Sequence, residues 1–378
     1  MSKFGKILIV LVIMFFMVLL IIEPAKFLDA GREAIRLCLD IIIPSLFPFL
    51  VSVGILVKLG LPRYMSRNLS PLMRPLFNIP GSGALALIMG LISGYPLGAK
   101  IARELYVSGD CTKAEAERML AFCNNSGPLF IIGAVGAGML SSPAIGQVLY
   151  ISHVLSALLV GMIFRFYHKP ANVKPYGNEQ IALPVTAIVV KKEVAQGIVG
   201  DIGDAVYSAV QTMAKICGFV ILFAAVVAAI PNFGGGVANA SVAGIIEITE
   251  GVLRFAELSH LSLPLKLSII SFVLAFSGLS VMAQVAAIIK GSGLSMTPYV
   301  AGKFIAGIIS AGITYAICIF FPLNIEQYAF APRFVIANIT QATTPFGLFV
   351  SSFTVVLWGL IGIVTVVVVA RAWRKFRA

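Results

Sequence analysis

Apolar runs long enough to cross a bilayer recur along this chain, and they restrict its fold more than any motif does. Residues Ile7 to Ile22 carry no polar side chain, and further apolar runs follow at Ile41 to Gly60, Ala144 to Tyr167, Met213 to Ile230, Ile305 to Phe321 and Gly347 to Ala370. A transmembrane helix takes about 20 residues, so the chain has room for roughly eight spans with their loops. Charged residues make up 12% of it, against roughly 25% in a soluble domain. The net charge of +12 would suit nucleic acid in a soluble protein. In a chain this apolar, Lys and Arg belong in cytoplasmic loops, and no nucleic-acid partner is expected.

Lys3 and Lys6 precede the first run, and no small-x-small cleavage site closes it before Glu23. Residues 1–30 are therefore expected to be a retained N-terminal membrane anchor. Pro44 and Pro48 kink the second run, and Lys58, Arg63, Arg67 and Arg74 after it mark a cytoplasmic loop.

The pattern then changes. Ala84 to Ile92 and Leu97 to Val107 are each too short to cross about 30 Å of hydrocarbon at about 1.5 Å per residue. The breaker Ser93-Gly94-Tyr95-Pro96 joins them, which predicts a re-entrant hairpin whose backbone must be satisfied by protein or a wet cavity. Asn124-Asn125-Ser126-Gly127-Pro128 interrupts the run Met119 to Leu140 and predicts a broken transmembrane helix. Later, Leu265 to Ala275, the tip Ser277-Gly278-Leu279-Ser280 and Val281 to Ile289 predict a second hairpin.

Sliding the sequence by 184 positions lays Ser93-Gly94 on Ser277-Gly278, Ser108-Gly109 on Ser292-Gly293, and Lys100 on Gln284. The expected fold is an all-α polytopic membrane protein of two inverted repeats, each with a re-entrant helical hairpin and a broken transmembrane helix. Residues 31–167 form the first repeat, 168–192 a polar cytoplasmic linker, and 193–378 the second repeat with a C-terminal span and basic tail. Val194 to Gln211, with Asp201 and Asp204, reads as an interfacial helix before the span Met213 to Ile230. Three crossings lie between the hairpins, an odd number that inverts the second. Seven spans would leave the basic tail outside, so the positive-inside rule calls either for an extra pass at Phe334 to Pro345 or for a first run that is oriented or processed differently.

The five cysteines show no C-x-x-C spacing, and His153, His168 and His260 read as buried or interfacial. Neither a zinc site nor a disulfide framework is expected, nor any cofactor. No H-E-x-x-H or G-x-S-x-G motif occurs, so the chain does not read as an enzyme. A helix that starts at a hairpin tip aims about half a positive charge at what lies there. Two such starts facing each other make an anion site. The candidate substrate-binding residues are Ser93, Gly94, Tyr95, Pro96, Lys100, Asn124, Asn125, Ser126, Ser277, Gly278, Ser280, Gln284, Thr343 and Thr344. Lys100 would neutralise an anion or else snorkel to the surface with Arg103, paired to Glu104.

Ser93-Gly94-Tyr95-Pro96-Leu97-Gly98-Ala99-Lys100, Ala114-Glu115-Ala116-Glu117-Arg118 and Asn124-Asn125-Ser126-Gly127-Pro128-Leu129-Phe130 together resemble the YlbJ (SpoVV) family of sporulation integral membrane proteins, which carries the nucleoside-recognition, or Gate, domain. Phe276 to Ala283 is more weakly similar to the second hairpin of concentrative nucleoside transporters, with Gly278 where that pattern has Asn. The resemblance implies a transporter in the bacterial cell or outer forespore membrane, moving dipicolinate, with a coupling ion or calcium as further partners. A nucleoside transporter of the same fold and a non-transporting sporulation scaffold are the alternatives. Homo-oligomerisation is compatible with both.

Overall fold

A computed structural model of the chain describes residues 3–59, 61–168, 198–231 and 236–320. Every regular element among them is a helix. The chain opens with α1 (Lys3–Ile22), α2 (Pro24–Leu37), the π-helical turn Cys38–Ile42, α3 (Ile43–Lys58) and α4 (Leu61–Phe77). Next come α5 (Gly83–Ile92), α6 (Leu97–Val107), α7 (Lys113–Cys123), a π-helix at Leu129–Met139 and α8 (Pro143–Phe164). The rest is α9 (Ile198–Ala229), α10 (Gly236–Ile246), α11 (Ile248–Glu257), α12 (Leu263–Phe276), α13 (Gly278–Ile289) and α14 (Thr297–Phe320).

Four stretches are long and apolar enough to cross a membrane: Pro143–Phe164, Ile202–Ala229, Leu263–Ile289 and Thr297–Phe320. A fifth arises if α1 and α2, bent by 99° between Val10–Ile22 and Pro24–Asp40, count as one. Large apolar side chains stand exposed on their outer faces, Phe304, Ile308 and Ile319 on α14 among them, as lipid contact requires. Inside, α7, α8, α12 and α14 pack against one another, while α2 and α3 lie on α9.

Local sequence accounts for the boundaries. Thr112 and Glu115 form a reciprocal capping box at the start of α7. Ser142 accepts from the Ile145 amide at the start of α8, and Pro143 takes the first helical position, where no donor is lost. Gly98 lets α6 reach the end of α7, since a Cβ there would lie 1.9 Å from the Cys123 carbonyl oxygen. Gly98→Val must push these helices apart, at a cost of about 3 kcal/mol or more for overpacking a dense core. Loss of the monodisperse peak in detergent size-exclusion chromatography is the expected result, and a wild-type profile would contradict the contact.

Three expectations are corrected. The segments read as an interfacial helix and a separate span are one 32-residue helix, α9, because nothing between Gln211 and Met213 breaks it and Thr212 Oγ1 folds back onto the Ser208 carbonyl. Ser277 to Ser280 is not a hairpin tip. Its flanking helices α12 and α13 run on as the single apolar span Leu263–Ile289, interrupted at Ser277. The actual second pair of short helices is α10 with α11, joined through Glu247 and packed on each other. The 184-residue slide therefore paired a tip with a break. The same element order does occur twice: a pair of short helices, an interrupted helix, then a long span.

Candidate functional site

Each short pair ends against the interruption of the helix that follows it. At the first, a Cβ on Gly94 would stand 2.9 Å from the Gly127 amide. At the second, Gly278 faces the last carbonyls of α10, with Ile246 O at 3.3 Å from such a Cβ. A cavity opens where the two meet. Ser93, Gly94 and Tyr95 wall it from the first tip, Glu247 and Thr249 from the second, and Ser280 and Gln284 from α13. Leu129 and Phe130, Ile216 and Val220 of α9, and Leu37 and Ile42 supply an apolar lining.

Ser93 Oγ and Gln284 Oε1, on two lining residues, are buried and have no hydrogen-bond partner among the described residues. Among the described residues Glu247 is the only charged side chain in the lining. It is buried, and its Oε2 accepts from the Glu250 amide at 2.9 Å, so it caps α11. Part of its charge is thus answered by the start of its own helix. Among the described residues no group of three or more His, Cys, Asp or Glu side chains is placed to hold a metal ion.

The amides of the first interruption stand behind the cavity wall rather than in it. Asn124 accepts from the Ala99 amide at 3.3 Å and donates to the Tyr299 hydroxyl at 3.3 Å. Asn125 donates to the Phe122 carbonyl at 2.7 Å and accepts from Lys303 Nζ at 3.2 Å. The Ser126 amide donates to His153 Nε2 at 3.1 Å, and its hydroxyl to the Leu274 carbonyl at 3.5 Å. These bonds take up backbone and side-chain groups freed by the break.

The predicted residues therefore divide. Ser93, Gly94, Tyr95, Ser280 and Gln284 reach the cavity. Pro96, at the start of α6, adjoins it, and Asn124, Asn125, Ser126, Ser277 and Gly278 shape it from behind. Ser277 does not cap α13; its hydroxyl turns to the Ala275 carbonyl at 3.4 Å. Lys100 is not in the lining. Its Nζ donates to Ser208 Oγ at 3.0 Å and Thr212 Oγ1 at 3.4 Å, tying α6 to α9 one turn from Ile216. Thr343 and Thr344 lie outside the described residues. Sequence reasoning missed Glu247, Thr249, Tyr299 and Lys303. The first could have been found as a lone carboxylate closing the apolar stretch before Ile248, three residues ahead of Glu250.

Sporulation integral membrane protein YlbJ of Bacillus subtilis (strain 168) is 31% identical over 335 residues, which cover 82% of this chain and 82% of that protein. The chain belongs to the YlbJ family of sporulation integral membrane proteins. The model of the Gate family, described as nucleoside recognition, matches residues 39–188 of this YlbJ-family chain. That match takes in the first tip and the first interruption but neither Glu247 nor Gln284. No solved structure matches the chain.

Proposed function

We propose that this YlbJ-family protein transports a small organic anion, dipicolinate in the outer forespore membrane, through the cavity between the two tips. The observation that carries the reading is the cavity itself, walled by both short pairs and by both interrupted helices. In this reading α5–α6 and α10–α11 are re-entrant hairpins. The elements between them, α7 with its π-helix, α8 and α9, number three. An odd number of crossings inverts the second unit relative to the first, the arrangement of transporters that bind solute near the midplane.

Charge supports an anion. The starts of α6, the π-helix and α13 lie at the cavity edge; none is capped by its own N-cap residue, and only α6 has a free amide taken up by a side chain, that of Ala99 by Asn124. Each start is equivalent to about half a positive charge, together roughly the charge of one and a half cations. Glu247 opposes them, so an anion that enters partly neutralised, by a proton or a metal cation, fits better than a bare dianion.

A nucleoside is the second reading, favoured by the description of the Gate family model and by the polar side chains of Ser93 and Gln284 in the lining. Uptake of radiolabelled dipicolinate and of uridine into proteoliposomes separates the two. Ser93→Phe and Ser280→Phe fill the cavity from opposite walls, and each is expected to reduce uptake at least about tenfold while the protein stays monodisperse. Uptake unchanged in both variants would remove the site. Uridine carried in place of dipicolinate would overturn the substrate and keep the cavity.

A further inference from the structure

Lys303 is 1% exposed, about two turns into α14 on its packed face, and among the described residues no carboxylate lies within ion-pair distance of it. A charged side chain buried in a span is rare and marks function by default. Its Nζ donates to Asn125 Oδ1 at 3.2 Å, inside the first interruption. The Cys123 thiol of α7 and the His153 ring of α8 lie within electrostatic range. Tyr299, one turn earlier on α14, holds Asn124. From α12 the packed groups are Ser271, whose hydroxyl is bonded to those of Ser310 and Thr314 further along α14, and Lys266, which donates to the Ala256 carbonyl.

Two features of this setting suit a cation. The interruption begins where α7 ends, at Cys123, and a helix C-terminus carries about half a negative charge. Unwound backbone at such breaks is where transporters coordinate small cations. The break in turn sets the first tip, through Asn124 on the Ala99 amide and Gly127 against Gly94.

We propose that Lys303 is a tethered cation: its ammonium occupies a monovalent-cation site in the Asn124–Gly127 break and holds the break in the shape that places Ser93 and Tyr95 at the cavity. It is a positioning residue, acting through Asn125. This role needs only the break; its consequence for uptake rests on the transport function proposed above.

The test uses Cys123, fully buried beside the break, as a reporter of local order. Purified full-length protein in detergent is treated with N-ethylmaleimide, and labelling of Cys123 is followed by peptide mass spectrometry. In the wild type Cys123 is expected to resist labelling. In Lys303→Ala, which leaves a vacant volume beside Asn125, labelling is expected to be at least about tenfold faster. Methylammonium chloride should slow it saturably, and choline chloride, which is too large, should not. Labelling at the wild-type rate, or equal response to both salts, overturns the proposal. Faster labelling that neither salt slows reduces Lys303 to packing and overturns it as well. If Lys303→Ala does not fold, Lys303→Met decides: labelling at the wild-type rate overturns the proposal and faster labelling supports it. In proteoliposomes, methylammonium is expected to restore dipicolinate uptake to Lys303→Ala. If the wild type carries neither dipicolinate nor uridine, the transport reading fails while the Cys123 result still decides the role of Lys303.

Discussion

Glu247→Gln is expected to strengthen dipicolinate uptake and leave uridine uptake unchanged. Glutamine keeps the length of the side chain, and its amide oxygen can still accept from the Glu250 amide, so the start of α11 stays capped. Only the charge goes. A unit negative charge about 6 Å from a ligand charge of the same sign, at an effective dielectric of about 20, costs about 3 kcal/mol. The start of α11 already answers about half of the Glu247 charge, which leaves roughly 1.4 kcal/mol, or a tenfold gain in affinity for an anion. For uncharged uridine the same change removes an acceptor and no repulsion, so its KM should move by less than about threefold. Measuring KM for both solutes in proteoliposomes checks the sign. A weaker KM for dipicolinate in Glu247→Gln would mean that the carboxylate recruits the substrate, through a cation carried with it, and would reverse the electrostatic argument.

Among the described residues hydropathy found three of the four long spans, the two arms α5 and α6, and the interruption at Asn124 to Pro128, because each leaves a mark in local composition, but it took the span Leu263–Ile289 for a hairpin. It failed where two different structures use the same local chemistry. A hairpin tip and a break within a span both need residues that free the backbone, and Ser-Gly serves at both Ser93-Gly94 and Ser277-Gly278. Only the direction of the helix beyond tells them apart, and that is set by packing. The true second tip has neither Gly nor Pro. Its helix stops because Glu247 leaves helical geometry, at φ −142° and ψ 129°, to cap the next one. Lys303 was overlooked for a related reason: the apolar run starts at Ile305, whereas the helix starts at Thr297 and buries its first turns against α7 and α8.

The blocks that carry the family resemblance prove to have distinct duties. Ser93 to Lys100 and Asn124 to Phe130 form one wall of the cavity and its backing. Ala114 to Arg118 is remote from the lining and serves assembly. Glu115 caps α7 and pairs with Arg74 of α4. Glu117 accepts from the Ser295 amide at 2.9 Å and from the Tyr167 hydroxyl at 3.3 Å. A specific motif in a membrane protein can therefore mark where helices are joined as readily as where a solute binds.

Arg118 is the strongest of these joints, and Arg118→Ala is expected to be the most destabilising single change in the described residues. The side chain is 2% exposed, and its guanidinium donates to three carbonyls: Asn78 at 2.7 Å, Tyr167 at 2.9 Å and His168 at 2.7 Å. Asn78 follows the end of α4, and Tyr167 and His168 follow the end of α8, so one residue of α7 holds two helix exits whose carbonyls have no intrahelical donor. The planar fork is what allows three bonds at once, and a lysine ammonium cannot span them. A hydrogen bond to a charged group contributes about 1.5–3 kcal/mol, and bonds sharing one group are not additive. The expected loss is about 4 kcal/mol, a fall in Tm on the order of 10 °C, with Arg118→Lys recovering less than half of it. Scanning fluorimetry in detergent measures both variants. Because the clamp lies away from the cavity, Arg118→Ala reconstituted at low temperature should still take up the substrate with wild-type KM; a Tm within about 2 °C of the wild type would mean that other contacts hold α4 and α8 in place.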